Sequence, residues 1–339
     1  MMKRPLRTNL FLVPVTLLLV WFLADTMRVR QAASDALRLC AASVIPALFP
    51  FLVVTGLLMS LGFGAWASPY LAPLMTDLYR LPGSAGSALL LGFLGGYPVG
   101  ARTAADLYRL GYLTQDETER LLTFCNNANP AFFISVLGIG VFHSARAGIW
   151  LLLIHILSAL LTGLCFRGHT VAHTPPNPRK PSREASAATR APLTDTHAAT
   201  RAPLTDTHAV TRNPPPNAPP AFLPAFVDAV SGAASAMLRV CAFVTFFSVL
   251  VRPLKEWTHP AAAPLVGLLE LFSLTPLLTP DSYGFLLASF CAGFGGLSAL
   301  AQTAAVLEHT GLSIRPCLLG KLVQAALSAL LAAAVTRLL

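Results

Sequence analysis

Long apolar runs separated by short polar breaks dominate this chain. The runs cover residues 9–24, 40–62, 84–101, 128–143, 147–165, 224–251, 262–279, 284–307 and 316–338. About 20 apolar residues make a helix that crosses a hydrocarbon core of about 30 Å. Some runs reach that length. Others are too short, or too rich in glycine, to cross as plain helices. The pattern predicts an all-α, polytopic membrane protein.

One stretch departs from the pattern. Residues 167–220 are rich in Pro, Thr, Ala and Arg, and hold a tandem repeat, "TRAPLTDTHAA" (189–199) then "TRAPLTDTHAV" (200–210). Such a composition buries too little surface to offset chain entropy, so a disordered linker is expected. It divides the chain into a first helix (1–30), a first repeat (31–166), the linker (167–220) and a second repeat (221–339).

The two halves resemble each other. "GGYPVGARTAADLYRLG" (95–111) aligns without gaps on "GGLSALAQTAAVLEHTG" (295–311), with identities at eight of seventeen positions. A duplicated unit is a common transporter plan. Basic residues give an orientation, since Lys and Arg resist translocation. Lys3, Arg4 and Arg7 place the N-terminus in the cytoplasm, and the arginines of 167–220 place the linker there too. Run 40–62 then enters from outside and 224–251 from inside, so the repeats are expected to be inverted. The crossing count requires 84–110 to be a re-entrant hairpin, with 128–143 leading out and 147–165 returning.

Composition narrows the class. Of the 339 residues 55% are hydrophobic and 12% charged, where soluble domains carry about 25% charged residues. The net charge of +9 lies at the ends of apolar runs and in the linker, without the aromatic interleaving of nucleic-acid binders. Nucleic acid is therefore not an expected partner; the lipid bilayer is. The N-terminal run is long and lacks a clear cleavage site, which favours an uncleaved helix over a signal peptide. Six cysteines, none in a CxxC pair, read as small buried hydrophobes. No metal site, cofactor motif, GxSxG, HExxH or P-loop is present, so an enzyme is not expected.

Candidate chemistry sits at the breaks. "GFLGGYPVGAR" concentrates glycines and a proline, which break a helix. The freed backbone groups survive in a membrane only inside protein or along a cavity. Gly95, Gly96, Tyr97, Pro98 and Gly100 are thus candidate substrate-lining residues, with Gly295, Gly296, Ser298 and Gln302 in the second copy. Tight helix packing through small residues is the competing account. Arg102 follows the first break, where a carboxylate substrate would meet it; its counterpart is the neutral Gln302. Thr114 and Glu117 form a capping box that starts a helix at Gln115.

In "FCNNANP", Asn129 reads as a helix N-cap and Pro130 as a first-turn residue. Asn126 and Asn127 remain, either as a polar binding surface or as interhelical glue. Glu270 lies in an apolar run, with Arg239 as candidate counter-ion, serving ion coupling or an internal salt bridge. His155, alone in an apolar helix, reads more simply as a packing residue.

These residues resemble the YlbJ/SpoVV sporulation integral membrane proteins, which carry nucleoside-recognition (Gate) domains. The likeness rests on Gly92, Phe93, Gly96, Tyr97, Pro98, Gly100 and Ala101, then Phe124, Cys125, Asn126, Asn127, Ala128 and Pro130. "FGGLSALAQTAAVL" resembles that family's second half. Glu270 does too, although "LFSLTPLL" replaces the expected glycine-ended turn. The likeness covers most of the membrane part and excludes the linker. It implies a membrane protein of endospore formation, in the outer forespore membrane, associated with moving dipicolinic acid. It also implies kinship with concentrative nucleoside transporters, which have inverted repeats and re-entrant hairpins. The expected partner is a small-molecule anion; a nucleoside-type solute, or a non-transport role as a scaffold for spore-envelope assembly, are the alternatives. A homo-oligomer is compatible with all three.

Overall fold

A computed structural model describes residues 6–168, 222–257 and 262–338. The linker read at 167–220, with its tandem repeat, lies outside the described residues except for Arg167 and Gly168. Among the described residues every regular element is helical.

Helix α1 (Leu6–Ala24) runs into α2 (Thr26–Leu39). The ladder is held across Asp25 by Asp25 N–H to the Trp21 carbonyl and Val29 N–H to the Asp25 carbonyl. A π turn at Cys40–Val44 links α2 to α3 (Ile45–Ser60). Pro46 follows that turn; it has no N–H to donate to the preceding turn, and the ladder widens there. Helix α4 (Phe63–Pro73) leads to α5 (Ala85–Gly95), α6 (Val99–Arg109) and α7 (Gln115–Leu122). Helix α7 starts in the capping box read from sequence, Thr114 Oγ1 accepting from Glu117 N–H and Glu117 Oε2 from Thr114 N–H. The chain then unwinds, and a π-helix over Phe132–Val141 precedes α8 (Ala145–Cys165).

The second half holds α9 (Phe222–Trp257), α10 (Ala263–Leu269) and the single turn α11 (Leu271–Leu274). Then come α12 (Ser282–Phe294), α13 (Gly296–Leu307) and α14 (Arg315–Leu338). The duplication is visible locally. Helices α7 and α14 begin at Gln115 and Arg315, and Gly111 and Gly311 before them have φ of 77° and 78°. Only glycine takes that conformation without steric cost.

Among the described residues five stretches are long and apolar enough to cross a membrane: Thr26–Ser60, Ala145–Cys165, Phe222–Leu254, Ser282–Leu307 and Arg315–Arg337. The run read at 128–143 is not among them. Its helix is a short apolar one, Phe132–Val141, because the asparagine stretch before it leaves the helical conformation. Burial separates outer from inner helices. In its most apolar window Thr26–Ser60 is 11% buried, whereas Ser282–Leu307 is 78% buried. Leu17 and Leu238 are among the exposed apolar side chains of the outer helices, as a lipid-facing surface requires.

Two apolar cores lie along the inner helices. One holds Phe124, Cys125, Cys317 and Ala325; the other holds Ala128, Ala131, Phe133, Cys291 and Ala332. Asn126, Asn127 and Ser328 fall where the chain passes from one core to the other.

Candidate substrate site

The first break is a hairpin. Helix α5 ends at Gly95 and turns through Gly96 (φ +75°), and α6 starts at Val99. The two helices pack on each other because Gly92 and Gly100 meet: a Cβ added to Gly100 would stand 2.9 Å from the Gly92 Cα. The Cys125 carbonyl lies in the space that both glycines leave, and a side chain at either would overlap it. The hairpin therefore holds the backbone of the asparagine stretch against its own crossing point.

The second break is not a hairpin. Gly295 and Gly296 both have positive φ, +87° and +85°, but α12 and α13 do not fold back on each other: α12 packs on α14, α8 and α10, and α13 packs on α6 and α10. The positions matching Gly92 and Gly100 are Ala292 and Leu300, so the close crossing is not available there. The two breaks nevertheless touch. The Tyr97 hydroxyl, from the tip of the first, lies against Gly295 in the second, in space that any side chain at 295 would take.

Between them sits a buried polar cluster. Asn129 is the expected cap, its Oδ1 accepting from Phe132 N–H at 2.9 Å, with Pro130 in the first helical turn. Asn126 and Asn127 are fully buried. Asn126 Nδ2 donates to Thr303 Oγ1 of α13 at 2.6 Å. Asn127 Nδ2 donates to the Phe124 carbonyl at 2.7 Å. Its Oδ1 accepts from Gln324 Nε2 at 3.1 Å and from Lys321 Nζ at 3.3 Å.

Lys321, which the sequence reading did not single out, is the basic side chain of this cluster. It is 0% exposed, in the interior of α14. Its Nζ also donates to Gln324 Oε1 at 2.7 Å and stands 5.2 Å from the Tyr97 ring centroid. Gly320 lets α14 approach this closely, since a Cβ there would be 2.6 Å from the Thr123 Cα. Among the described residues no carboxylate lies within ion-pair distance of Lys321. An ionisable group in an apolar run is the signal that would have found it.

Other buried polar atoms face the same region without a partner among the described residues: Tyr97 Oη, Asn126 Oδ1 and both ring nitrogens of His155. His155 is tied in through its backbone, its carbonyl accepting from Gln324 Nε2 at 3.5 Å, and its ring lies tilted against Phe133, with centroids 4.6 Å apart. A hydroxyl seam continues below, where Ser158 meets Ser328 at 2.7 Å and Ser289 donates to the Ser328 carbonyl.

The remaining candidates are distributed otherwise. Ser298, Gln302 and Thr303 are buried along α13. Arg102 is exposed on α6, so the basic residue buried in the cluster is Lys321 and not Arg102. Glu270 is buried, and its carboxylate caps α11, accepting from Phe272 N–H and Ser273 N–H. Arg239 is exposed on α9 and bonds the Ser235 carbonyl at 3.3 Å; no ion pair joins it to Glu270, because it points away from the bundle. Among the described residues no group of His, Cys, Asp and Glu stands close enough to hold a metal ion. A groove of about 360 Å³ lies along the end of α13, lined by Ala304, Glu308 and Ile314. Lys321, Asn126 and Asn127 do not line it, and each is fully buried.

Membrane-length helices, interrupted so that backbone, amides and a buried lysine converge, define an integral membrane protein with a polar centre at its broken helices. Comparison with known proteins agrees. Residues 41–165 match the family model Gate, described as nucleoside recognition. The chain is 28% identical over 318 residues to the sporulation integral membrane protein YlbJ of Bacillus subtilis (strain 168), covering 87% of this chain and 74% of that protein. No solved structure matches. The resemblance read from the motifs therefore holds as a similarity: residues 41–165 are similar to Gate, and most of the chain is similar to a sporulation integral membrane protein.

Proposed function

We propose that the protein transports a small organic anion, and that dipicolinate, a planar aromatic dicarboxylate, is its substrate. The observation that carries this is Lys321, fully buried at the meeting of the two breaks with neutral side-chain acceptors and no carboxylate. Burying a lone ammonium costs several kcal/mol even after relaxation. A carboxylate drawn to Lys321 offsets that cost. The amides of Asn126 and Asn127 and the hydroxyl of Tyr97 supply further hydrogen bonds, and the Tyr97 ring a flat surface for an aromatic guest. Substrate sites at interrupted helices between repeats are the usual plan of secondary transporters. Inverted repeats rocking about the contact of Tyr97 with Gly295 would open the cluster to each side in turn. A neutral nucleoside, the reading favoured by the family model's description, fits the amides but leaves Lys321 uncompensated. Uptake of labelled dipicolinate and of labelled nucleosides into proteoliposomes separates the two. Dipicolinate uptake that unlabelled dipicolinate competes away supports the proposal; uptake of nucleosides alone refutes it.

A further inference from the structure

Lys321 has two hydrogen-bond acceptors, Asn127 Oδ1 and Gln324 Oε1, at 3.3 and 2.7 Å. A neutral amine has two N–H groups, and these two acceptors satisfy both. An ammonium has three, so the charged form keeps one N–H that neither side chain takes. The protein thus satisfies the neutral lysine by itself and the charged lysine only with an added acceptor. The surroundings favour the same division. The titratable groups around Nζ are the thiols of Cys125 and Cys317, the Tyr97 phenol and the His155 imidazole; α12, which also packs on α14, carries Tyr283 and Cys291 and no carboxylate. The carboxylates of α7, the other helix packed on α14 at this level, are engaged elsewhere. Asp116 pairs with Arg120, Glu117 closes the capping box, and Glu119 accepts from Gln115 and from Ser313 N–H. Among the described residues no fixed negative charge holds a proton on Lys321.

We infer that Lys321 is a proton carrier that couples the anion to a proton. This rests on the anion reading above and adds its coupling ion. In the empty protein Lys321 is a neutral amine. When a carboxylate enters, the amine lone pair takes one proton from water, and the new ammonium gives its third N–H to the carboxylate. On the far side the anion leaves and the ammonium returns the proton to water. Each carboxylate therefore travels with a proton, and Asn127 and Gln324 hold the lysine in place in both states.

Calorimetric titration of the purified full chain with dipicolinate, in two buffers of different protonation enthalpy at one pH, counts protons taken up on binding. About one proton per anion is expected in the wild type. Lys321→Arg carries a permanent charge; it is expected to bind dipicolinate with no proton uptake. His155→Gln is expected to keep the uptake. Anion binding without proton uptake in the wild type overturns the coupling and leaves the anion reading intact. Uptake that disappears in His155→Gln and persists in Lys321→Arg overturns the assignment to Lys321. No dipicolinate binding at all overturns both readings. Should Lys321→Arg fail to fold, the wild-type count and His155→Gln decide the matter.

Discussion

The two glycine breaks begin from one repeated pattern and end as different structures. In the first, Gly92 and Gly100 let α5 and α6 cross and grip the Cys125 carbonyl. In the second, Ala292 and Leu300 occupy the matching positions, and α12 and α13 pack on other helices, α10 among them for both, rather than on each other. The difference continues beyond the breaks. Helix α7 stops at Leu122 and the chain unwinds through Asn126 and Asn127, whereas α14 continues as helix through Ala326 and Leu327, their counterparts. One copy supplies the irregular backbone and amides; the other supplies a straight helix bearing Lys321 and Gln324. The polar centre exists because the copies diverged. A symmetric pair would place asparagines against asparagines, with no charge between them.

The largest test of this contrast exchanges residues at one matched position. In Gly92→Ala the new methyl overlaps the Cys125 carbonyl oxygen, a backbone atom that cannot move without opening the hairpin. Loss of a monodisperse folded protein is expected, in the exceptional range above about 4 kcal/mol. Ala292→Gly has no such clash to relieve and is expected to cost about 1 kcal/mol, the usual penalty of glycine in a helix. Equal melting behaviour of the two variants would break the comparison.

Next in size is Asn127→Ala. It removes the acceptor shared by Lys321 and Gln324 and is expected to destabilise the fold by about 1–3 kcal/mol, the cost of stranding buried polar groups. It should also weaken anion binding, which Asn129→Ala should not. Loss of the Asn129 cap is expected to cost about 1 kcal/mol of stability alone. Thermal unfolding read beside dipicolinate affinity separates the two asparagines.

The smallest effect concerns how the paired helices start. Asp281 caps α12, and the Gly284 N–H, then the Thr279 hydroxyl, hold its carboxyl below the usual range. Ser84 before α5 makes no such side-chain bond. A carboxyl depressed on folding adds stability above its unfolded value, about 3.9, and that stability is lost as the pH falls through the lower folded value. Asp281→Asn should therefore lower the melting temperature slightly at neutral pH, and the gap to wild type should close on acidification below about pH 4.

Much of this was legible in the residues. Apolar runs gave the membrane class, and Thr114, Glu117, Asn129 and Pro130 gave their local starts correctly because capping is a short-range effect. The parts that were not legible depend on contact across the chain. Arg102 and Gln302 align in sequence, yet one is exposed and the other buried, since helix rotation follows packing. The unequal fates of the breaks turn on whether residues 92 and 100 are both glycine, a pair that matters only once α5 and α6 cross. Lys321 was visible as a charge in an apolar run, but its partner Asn127 lies 194 residues away.

The central claim is that Lys321, and not the exposed arginines of α6, provides the charge that binds substrate. Equilibrium binding of labelled dipicolinate to purified wild type, Lys321→Met and Arg109→Ala tests it directly. The account predicts at least a tenfold loss of affinity in Lys321→Met, about 1.4 kcal/mol, with Arg109→Ala matching wild type. Wild-type affinity in a folded Lys321→Met protein would contradict it.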